Sequence, residues 1–187
     1  MRRLAFDMKV RQFELRLPDV KVSFEGKGGA TIGGPKPMDV EIERKLREGN
    51  FKILHLELGS NDLDLKRHPH KDIQKLAEFY IRKARVQTLS DLDVVLGLPI
   101  PRHEEKFPGS YERTKSFNEI LTSLAKSESR IHVWSHKTIF RSDDKFLAKD
   151  GIHLNSQGTL RYFHSLRASI RVHIKKIHNK PTNKVNV

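Results

Sequence analysis

Alternation between strand-like and helix-like segments constrains the fold of this chain more than any other feature of its sequence. Short apolar runs are followed by longer stretches whose apolar residues recur every three or four positions, which is typical of helices. Between positions 72 and 85 that repeat is formed by Ile73, Leu76, Ala77, Tyr80, Ile81 and Ala84. Strands that alternate with helices form parallel βαβ units whose sheet is covered on both faces. We therefore predict an α/β fold, a three-layer α/β/α sandwich around a mostly parallel sheet.

The predicted elements succeed one another along the whole chain. Helices are predicted over residues 6–17, 38–48, 72–85, 117–124 and 156–176, and strands over 20–24, 51–58, 93–98 and 130–134. Pro18 closes the first helix, and either Asn155 or Ser156 suits the N-cap of the last one. Because ligands of parallel sheets bind at the carboxyl ends of the strands, the loops that leave the strands are the candidates for a functional site.

The composition narrows the class of protein. With 187 residues the chain can bury one substantial core, and no apolar run approaches the roughly 20 residues that span a bilayer. The absence of cysteine excludes disulfides, thiolate metal sites and a cysteine nucleophile. No apolar stretch follows the basic start, so no secretory signal is predicted. We expect a soluble, cytoplasmic protein with no membrane span.

Basic residues exceed acidic ones, with 36 Lys and Arg against 23 Asp and Glu, a formal net charge of +13. Much of the surplus lies late in the chain, including Arg167, Arg171, Lys175 and Lys176. Such residues form either a solvated helix face or a contact for nucleic acid or another polyanion. The sequence leaves both interpretations open.

Three loops that follow predicted strands carry chemistry. The first contains Gly29 in a glycine-rich run, whose backbone N–H groups are able to approach an anion. The second places Asn61 and Asp62 directly after a buried strand, where the Asn61 amide is able to reach the site and Asp62 to hold the loop. Each loop taken alone is equally compatible with an ordinary turn.

The third loop ends in Asp150 and His153, just before the last helix. A carboxylate three residues before an imidazole can accept its Nδ1–H, which sets the tautomer and leaves Nε2 as a general base. Ten histidines make one such spacing unremarkable. Its place after the final predicted strand is the stronger argument for a catalytic role.

Together these loops resemble the blocks of the SGNH (GDSL-type) hydrolase family, over roughly residues 1–175. The second-block glycine matches Gly29, the G-x-N-D block matches Gly59, Asn61 and Asp62, and the D-x-x-H block matches Asp150 and His153. The resemblance implies a flavodoxin-like sheet and serine-dependent hydrolysis of carboxylic esters without a cofactor or metal. It implies Asp150 and His153 as catalytic residues, Gly29 and Asn61 as the oxyanion hole, and Gly59 and Asp62 as loop-supporting residues.

The family's first block, a strand ending in G-D-S, has no counterpart in this sequence. Arg2-Arg3-Leu4 is similar to the residues that follow the family's serine, so the resemblance implies that strand one and the nucleophile are missing. That strand lies at the centre of the family's sheet. Its absence therefore exposes the backbone hydrogen-bonding groups of the two neighbouring strands or forces these two strands to pair directly. We expect an incomplete SGNH domain over residues 1–177, inactive as given, and a basic, disordered tail over 178–187.

Two explanations account for the missing block. The preferred explanation is an incomplete gene model or fragment with G-D-S encoded upstream, because Gly29, Asn61, Asp150 and His153 occur together. In that case the substrate is a small acyl ester. The other explanation is a degenerate copy that binds without catalysis. A non-catalytic or nucleic-acid-binding module that uses the basic last helix is the alternative function.

A metal enzyme is a further alternative that the sequence does not favour. His68 and His70 flank a proline, and His103 precedes Glu104 and Glu105. Neither group has the spacing of a zinc-binding helix, and such residues in polar loops are usually solvated.

Overall fold

The computed structural model describes residues 20–34, 37, 39–68, 70–89, 91–140 and 145–178. Within these ranges the helices are α1 (Asp39–Glu48), α2 (Ile73–Thr88), α3 (Ser110–Ala125), α4 (Lys137–Phe140) and α5 (Ser156–His178), and the strands are β1 (Ile53–Leu56), β2 (Asp93–Gly97) and β3 (Ile131–Trp134). The predicted helices over 38–48, 72–85, 117–124 and 156–176 and the predicted strands over 51–58, 93–98 and 130–134 are confirmed. The predicted helix over 6–17 lies outside the described residues. Of the tail predicted over 178–187, residues 179–187 also lie outside them, whereas His178 is the last residue of α5, so the tail begins one residue later than predicted.

The sheet is parallel throughout, with the order β1-β2-β3. Ile53 aligns with Asp93 in the first pair, and Val94 aligns with Ile131 in the second. Each strand is joined to the next through a helix, as parallel pairing requires. The carboxyl ends of all three strands therefore lie at the same end of the sheet, where the loops that follow β1 and β2 begin.

Helices α2 and α3 cover one face of the sheet. Alternate strand side chains meet them in a buried core that includes Leu56, Val94, Leu96, Tyr80, Ala84, Phe117 and Leu121. Burial of each large apolar side chain contributes about 1.5–3 kcal/mol. This is the main packing layer of the fold.

Helix α5 covers the opposite face, and this contact is more polar. Nε2 of His55 lies 3.0 Å from Oγ of Ser169, and Nε1 of Trp134 donates to Oγ of Ser165 at 3.0 Å. These bonds satisfy polar groups that packing removes from water. With helices on both faces, the predicted α/β/α sandwich is confirmed.

The prediction of a strand over residues 20–24 is wrong, because this segment has no regular secondary structure and is not one of the three strands of the described sheet. Its alternate side chains Val20, Val22 and Phe24 still pack toward α5. Alternating hydrophobicity therefore identifies the buried face correctly, but a strand also needs a neighbouring backbone to pair with. Helix α4 lies in a stretch predicted to be a loop, and its single turn carries too few residues to show a period.

Candidate active site

Asp150 and His153 contact each other as their spacing predicts. Oδ2 of Asp150 lies 2.6 Å from Nδ1 of His153, and Oδ1 accepts the backbone N–H groups of Ile152 and His153, each at 2.9 Å. The carboxylate is thus fully engaged by its own loop. This arrangement directs the Nδ1–H of His153 to Asp150 and leaves Nε2 as the acceptor.

The electrostatics of this pair keep Asp150 ionised. The hydrogen bond from the His153 side chain, together with the N–H groups of His153 and Ile152, holds the pKa of Asp150 well below its usual range. The side chain of His153 is 79% exposed, and no described residue bonds to its Nε2. The imidazole is therefore oriented on one side and open on the other, as a general base must be.

The loop that carries this pair is held at its base. Leu147 and Leu154 form an antiparallel bridge, and the N–H of Ala148 donates to the carbonyl of His153 at 2.7 Å. Asn155 caps α5 by accepting the N–H of Gly158 at 2.9 Å. Of the two predicted N-cap residues, Asn155 is therefore the one that caps the helix.

The two loops that carry Gly29 and Asn61 are bonded to each other. The side-chain amide of Asn61 donates to the carbonyl of Ala30 at 2.9 Å. Oδ2 of the fully buried Asp62 accepts the N–H of Ile32 at 2.8 Å, and its Oδ1 lies 2.5 Å from Nζ of Lys71. Asp62 therefore holds the first loop against the second.

Gly59 shapes the turn that presents Asn61. Its φ of 113° lies in the region that favours glycine, and a Cβ there would approach Cγ of Pro99 to 2.9 Å. Any other residue would strain the backbone and clash. Gly59 thus supports the loop sterically.

Arg102 orients Asn61 from the other side, a role that sequence reasoning did not assign to it. Its guanidinium is buried, pairs with Asp64 at 2.5 Å, and donates to Oδ1 of Asn61 and to the carbonyl of Ser60, both at 3.3 Å. With Oδ1 engaged by Arg102, the Asn61 amide has two N–H donors, of which Ala30 uses one. The second is available for an oxyanion. The one sequence feature that points to Arg102 is its position in the loop that follows β2.

The loop after β2 also links the Asn61 loop to the Asp150 loop. The N–H of His103, next to Arg102, donates to the carbonyl of Gly151 at 2.9 Å. Hydrogen bonds thus connect Ala30 to Asn61 and Asn61 to Arg102, and the adjoining His103 connects to Gly151. The three loops that carry the candidate residues are therefore linked to one another at the carboxyl end of the sheet.

A second cluster of polar groups lies beneath β1 and was not predicted. The buried ring of His136 is 3.2 Å from Oε1 of Glu57 through Nε2 and 3.0 Å from Oγ of Ser165 through Nδ1. Burial and the nearby Glu57 raise the pKa of Tyr162 well above its ordinary value. These residues are far apart in sequence, so no local sequence pattern predicts the cluster.

The remaining sequence candidates have simpler surroundings. No described serine hydroxyl bonds to His153; Ser60 and Ser156 are exposed. Within the described ranges no group of three or more His, Asp or Glu side chains is placed to hold a metal ion. Lys175 and Lys176 are exposed on α5, and Arg167 lies 5.9 Å from the ring of Phe163.

No helix in the described part of the chain has the length and apolar character to cross a membrane. No protein-family model and no curated protein matches the chain. Similarity appears instead at the level of solved structures.

Among these is an acetyl xylan esterase, with a TM-score of 0.70 and 18% identity over 90% of this chain and 89% of that one. A lipolytic protein of the G-D-S-L family from Veillonella parvula has a TM-score of 0.64 and 17% identity over 87% of this chain and 90% of that one. A carbohydrate esterase of family 3 from Talaromyces cellulolyticus has a TM-score of 0.58 and 16% identity over 70% of this chain. This chain spans only 62% of the length of the Talaromyces protein. At such low identity these similarities show the fold, which is that of the SGNH hydrolases.

Proposed function

We propose that this chain carries the histidine, the aspartate and the oxyanion-binding groups of an SGNH-type ester hydrolase, and that its nucleophilic serine comes from outside the described residues. The Asp150–His153 pair, whose imidazole is oriented by a 2.6 Å contact and open at Nε2, carries this proposal. Esters of short acyl groups are the proposed substrate class, because one of the similar structures is named as an acetyl xylan esterase.

The chemistry follows from the placement of these groups. The serine oxygen attacks the ester carbonyl carbon while Nε2 of His153 accepts the hydroxyl proton. The resulting oxyanion accepts hydrogen bonds from the free N–H of the Asn61 amide and from the backbone N–H of Gly29. The bond to the alcohol oxygen then breaks, and the alcohol leaves with the proton from His153. Water then attacks the acyl-serine carbonyl carbon while His153 accepts a proton from it, and as the bond to the serine oxygen breaks His153 gives this proton to that oxygen, which releases the carboxylic acid and restores the serine.

Asp150 acts through His153. Its ionised carboxylate keeps Nδ1 protonated and stabilises the imidazolium that forms in each step. Because the pKa of Asp150 is held well below its usual range, the carboxylate stays charged throughout the pH range in which a histidine base works. Arg102 and Asp62 are positioning residues that hold the Asn61 loop.

The test is to extend the chain ahead of Met1 by an apolar strand that ends in Gly-Asp-Ser, and to measure hydrolysis of p-nitrophenyl acetate and labelling by a fluorophosphonate. We expect both activities in the extended chain. His153→Ala should lower the rate at least about 100-fold, since a general base contributes roughly 10²–10⁴-fold. Asp150→Asn should lower it by a similar factor.

The matched control is His70→Ala, which removes an exposed histidine outside the site and should leave the rate unchanged. Replacing the added serine by alanine should abolish labelling. If the extended chain folds yet neither hydrolyses the ester nor reacts with the fluorophosphonate, the hydrolase function is wrong.

Contact with a polyanion through α5 is a second candidate, favoured by the exposure of Lys175 and Lys176. Binding of a labelled oligonucleotide should weaken steeply with salt and fall when Arg167, Arg171, Lys175 and Lys176 are neutralised. Binding that is absent, or that does not change with salt, would remove this candidate.

A further inference from the structure

Glu57 directly follows β1, and its carboxylate contacts side chains on β1, after β3 and on α5. Its two oxygens lie 3.2 and 3.3 Å from Nε2 of His136, which lies between β3 and α4. The hydroxyl of Tyr162 on α5 also donates a hydrogen bond to this carboxylate. Within β1, Nδ1 of His55 lies 3.4 Å from its Oε1. One side chain thus joins the end of β1 to two other parts of the chain.

Gly97, the last residue of β2, leaves room for this carboxylate. A Cβ at position 97 would overlap Oε1 and Cδ of Glu57, so the side chain of Glu57 passes directly over the end of β2. Because β2 lies between β1 and β3 in the sheet, the carboxylate crosses the middle strand to reach His136. The contact therefore ties the carboxyl ends of β1 and β3 together across β2.

His136 passes this contact on to α5. A carboxylate only accepts, so Nε2 of the neutral ring carries the hydrogen and Nδ1 is an acceptor. Nδ1 lies 3.0 Å from Oγ of Ser165, whose hydroxyl therefore donates to it. The His136 side chain is 1% exposed, and its ring centroid lies 4.6 Å from that of Tyr162. We call Glu57, His136, Tyr162 and Ser165 the Glu57 cluster.

Both ends of the Glu57 cluster lead to loops of the candidate active site. Glu57 precedes Asn61 by four residues, and Tyr162 lies six residues after Ser156, the first residue of α5. Six helical residues extend only about 9 Å, and His153 lies three residues before the helix begins. A displacement of α5 relative to Glu57 therefore moves His153 relative to Asn61.

The groups around Glu57 require an acceptor at this position. Burial and the nearby Glu57 raise the pKa of Tyr162 well above its ordinary value, so its hydroxyl remains a donor. Nε2 of His136 is a second donor. A carboxylate has lone pairs on both oxygens, whereas the amide of a glutamine would turn an N–H group toward one of these donors. Glutamine at position 57 should therefore weaken the contacts of α5 at nearly unchanged side-chain volume.

We propose that Glu57 and His136 are positioning residues that fix α5, and with it the Asp150–His153 pair, relative to the Asn61 loop. The carboxylate is the acceptor that Tyr162 and His136 share, and the imidazole connects it to a further residue of α5. The fixed placement of α5 does not depend on the proposed function. Its effect on the rate of ester hydrolysis rests on that function.

The first test measures the position of α5 in the full chain by double electron–electron resonance. The sequence has no cysteine, so Lys75→Cys and Gln157→Cys provide two specific spin-label sites, on exposed residues of α2 and of the first turn of α5. The start of α2 is held at the Asn61 loop by the bond between Lys71 and Asp62. We expect a single narrow distance distribution in the parent.

Glu57→Gln and His136→Leu should each broaden this distribution or shift its maximum by about 1–2 Å, the displacement typical of a helix that moves at an interface. His136→Gln keeps a donor for Glu57 and should stay near the parent. Tyr162→Phe removes one donor but keeps the ring, so it should give a smaller change. The matched controls are Glu119→Gln on α3 and His164→Leu on α5, both at exposed residues, and neither should change the distance.

The second test measures kcat and KM in the chain extended by the strand that ends in Gly-Asp-Ser. Glu57→Gln should lower kcat at least about tenfold with KM little changed, because a displacement of about 1 Å costs on the order of 100-fold in rate. His136→Gln should restore most of the rate that His136→Leu loses. Circular dichroism at the assay temperature verifies that each variant is folded, so unfolded protein does not account for a lower kcat.

An unchanged distance distribution in folded Glu57→Gln and His136→Leu would overturn the proposal, as would an equal change in Glu119→Gln or His164→Leu. If either of the first two variants does not fold, Tyr162→Phe decides, and an unchanged distribution there overturns the proposal. Altered distances, together with an extended parent chain that hydrolyses no ester, would leave the placement of α5 intact and remove the hydrolase function. Hydrolysis by the extended parent with kcat unchanged in Glu57→Gln would remove the positioning role and keep the hydrolase function.

Discussion

Oδ2 of the fully buried Asp62 accepts the backbone N–H of Ile32 at 2.8 Å, and this bond holds together two loops that lie thirty residues apart in sequence. The other carboxylate oxygen lies 2.5 Å from Nζ of Lys71. The loop with Gly29 and the loop with Asn61 thus depend on one side chain for their relative placement. The first prediction concerns this residue.

Asp62→Ala should lower the free energy of unfolding by about 3 kcal/mol, because it leaves a buried N–H without an acceptor and Lys71 without its partner. Asp62→Asn keeps an acceptor for the backbone N–H of Ile32 and should therefore lower the free energy of unfolding by less. Urea unfolding followed by circular dichroism measures both values. Glu105→Ala, at an exposed residue, should stay within about 0.5 kcal/mol of the parent, and an equally small effect of Asp62→Ala would contradict the supporting role.

Arg102→Met should destabilise the chain by about 3 kcal/mol, since it leaves the buried Asp64 carboxylate without its main partner. The double variant Arg102→Met with Asp64→Asn should recover part of that loss, because the uncompensated charge is then absent. Chemical denaturation of the two variants gives the comparison. Arg67→Met removes a guanidinium that also contacts Asp64 but is 64% exposed, so it should have little effect.

Stability should fall in mild acid. Burial lowers the pKa of His173 to about 4 and also lowers the pKa of His55, whereas an unfolded histidine titrates near about 6.5. Between about pH 6.5 and about pH 4 the unfolded chain therefore binds protons that the folded chain does not bind. The free energy of unfolding decreases as the pH falls through this range. His173→Gln should flatten this dependence, and His164→Gln, at an exposed position of α5, should not. A parent protein equally stable at about pH 7 and about pH 4.5 would contradict the prediction.

Asn155→Ala should lower the free energy of unfolding by about 1–2 kcal/mol. It removes the cap on the N–H of Gly158 and the bonds to the carbonyls of Lys145 and Leu147. Ser156→Ala, one residue later, is the matched control and should stay near the parent value. Thermal unfolding separates the two, and a larger loss from Ser156→Ala would assign the cap to Ser156.

The features that sequence reasoning predicted well depend on neighbours along the chain. Helical periodicity predicts α2 and α5 because their contacts repeat every three or four residues. The Asp150–His153 contact spans three residues within one turn, so the spacing alone brings a carboxylate to an imidazole. The cap at Asn155 is local in the same way.

The features that the sequence did not reveal join distant segments. Arg102 meets Asp64 and Asn61 only because two strand ends lie side by side, and His136 meets Glu57 across 79 residues. Residues 20–24 have the alternation of a strand but do not belong to the described sheet, because an alternating side-chain pattern reports burial whereas a strand also needs a partner backbone. The sequence by itself determined the elements and the histidine–aspartate pair through local geometry. The tertiary structure decided which loops meet and which strands pair, because both depend on contacts between segments far apart in the chain.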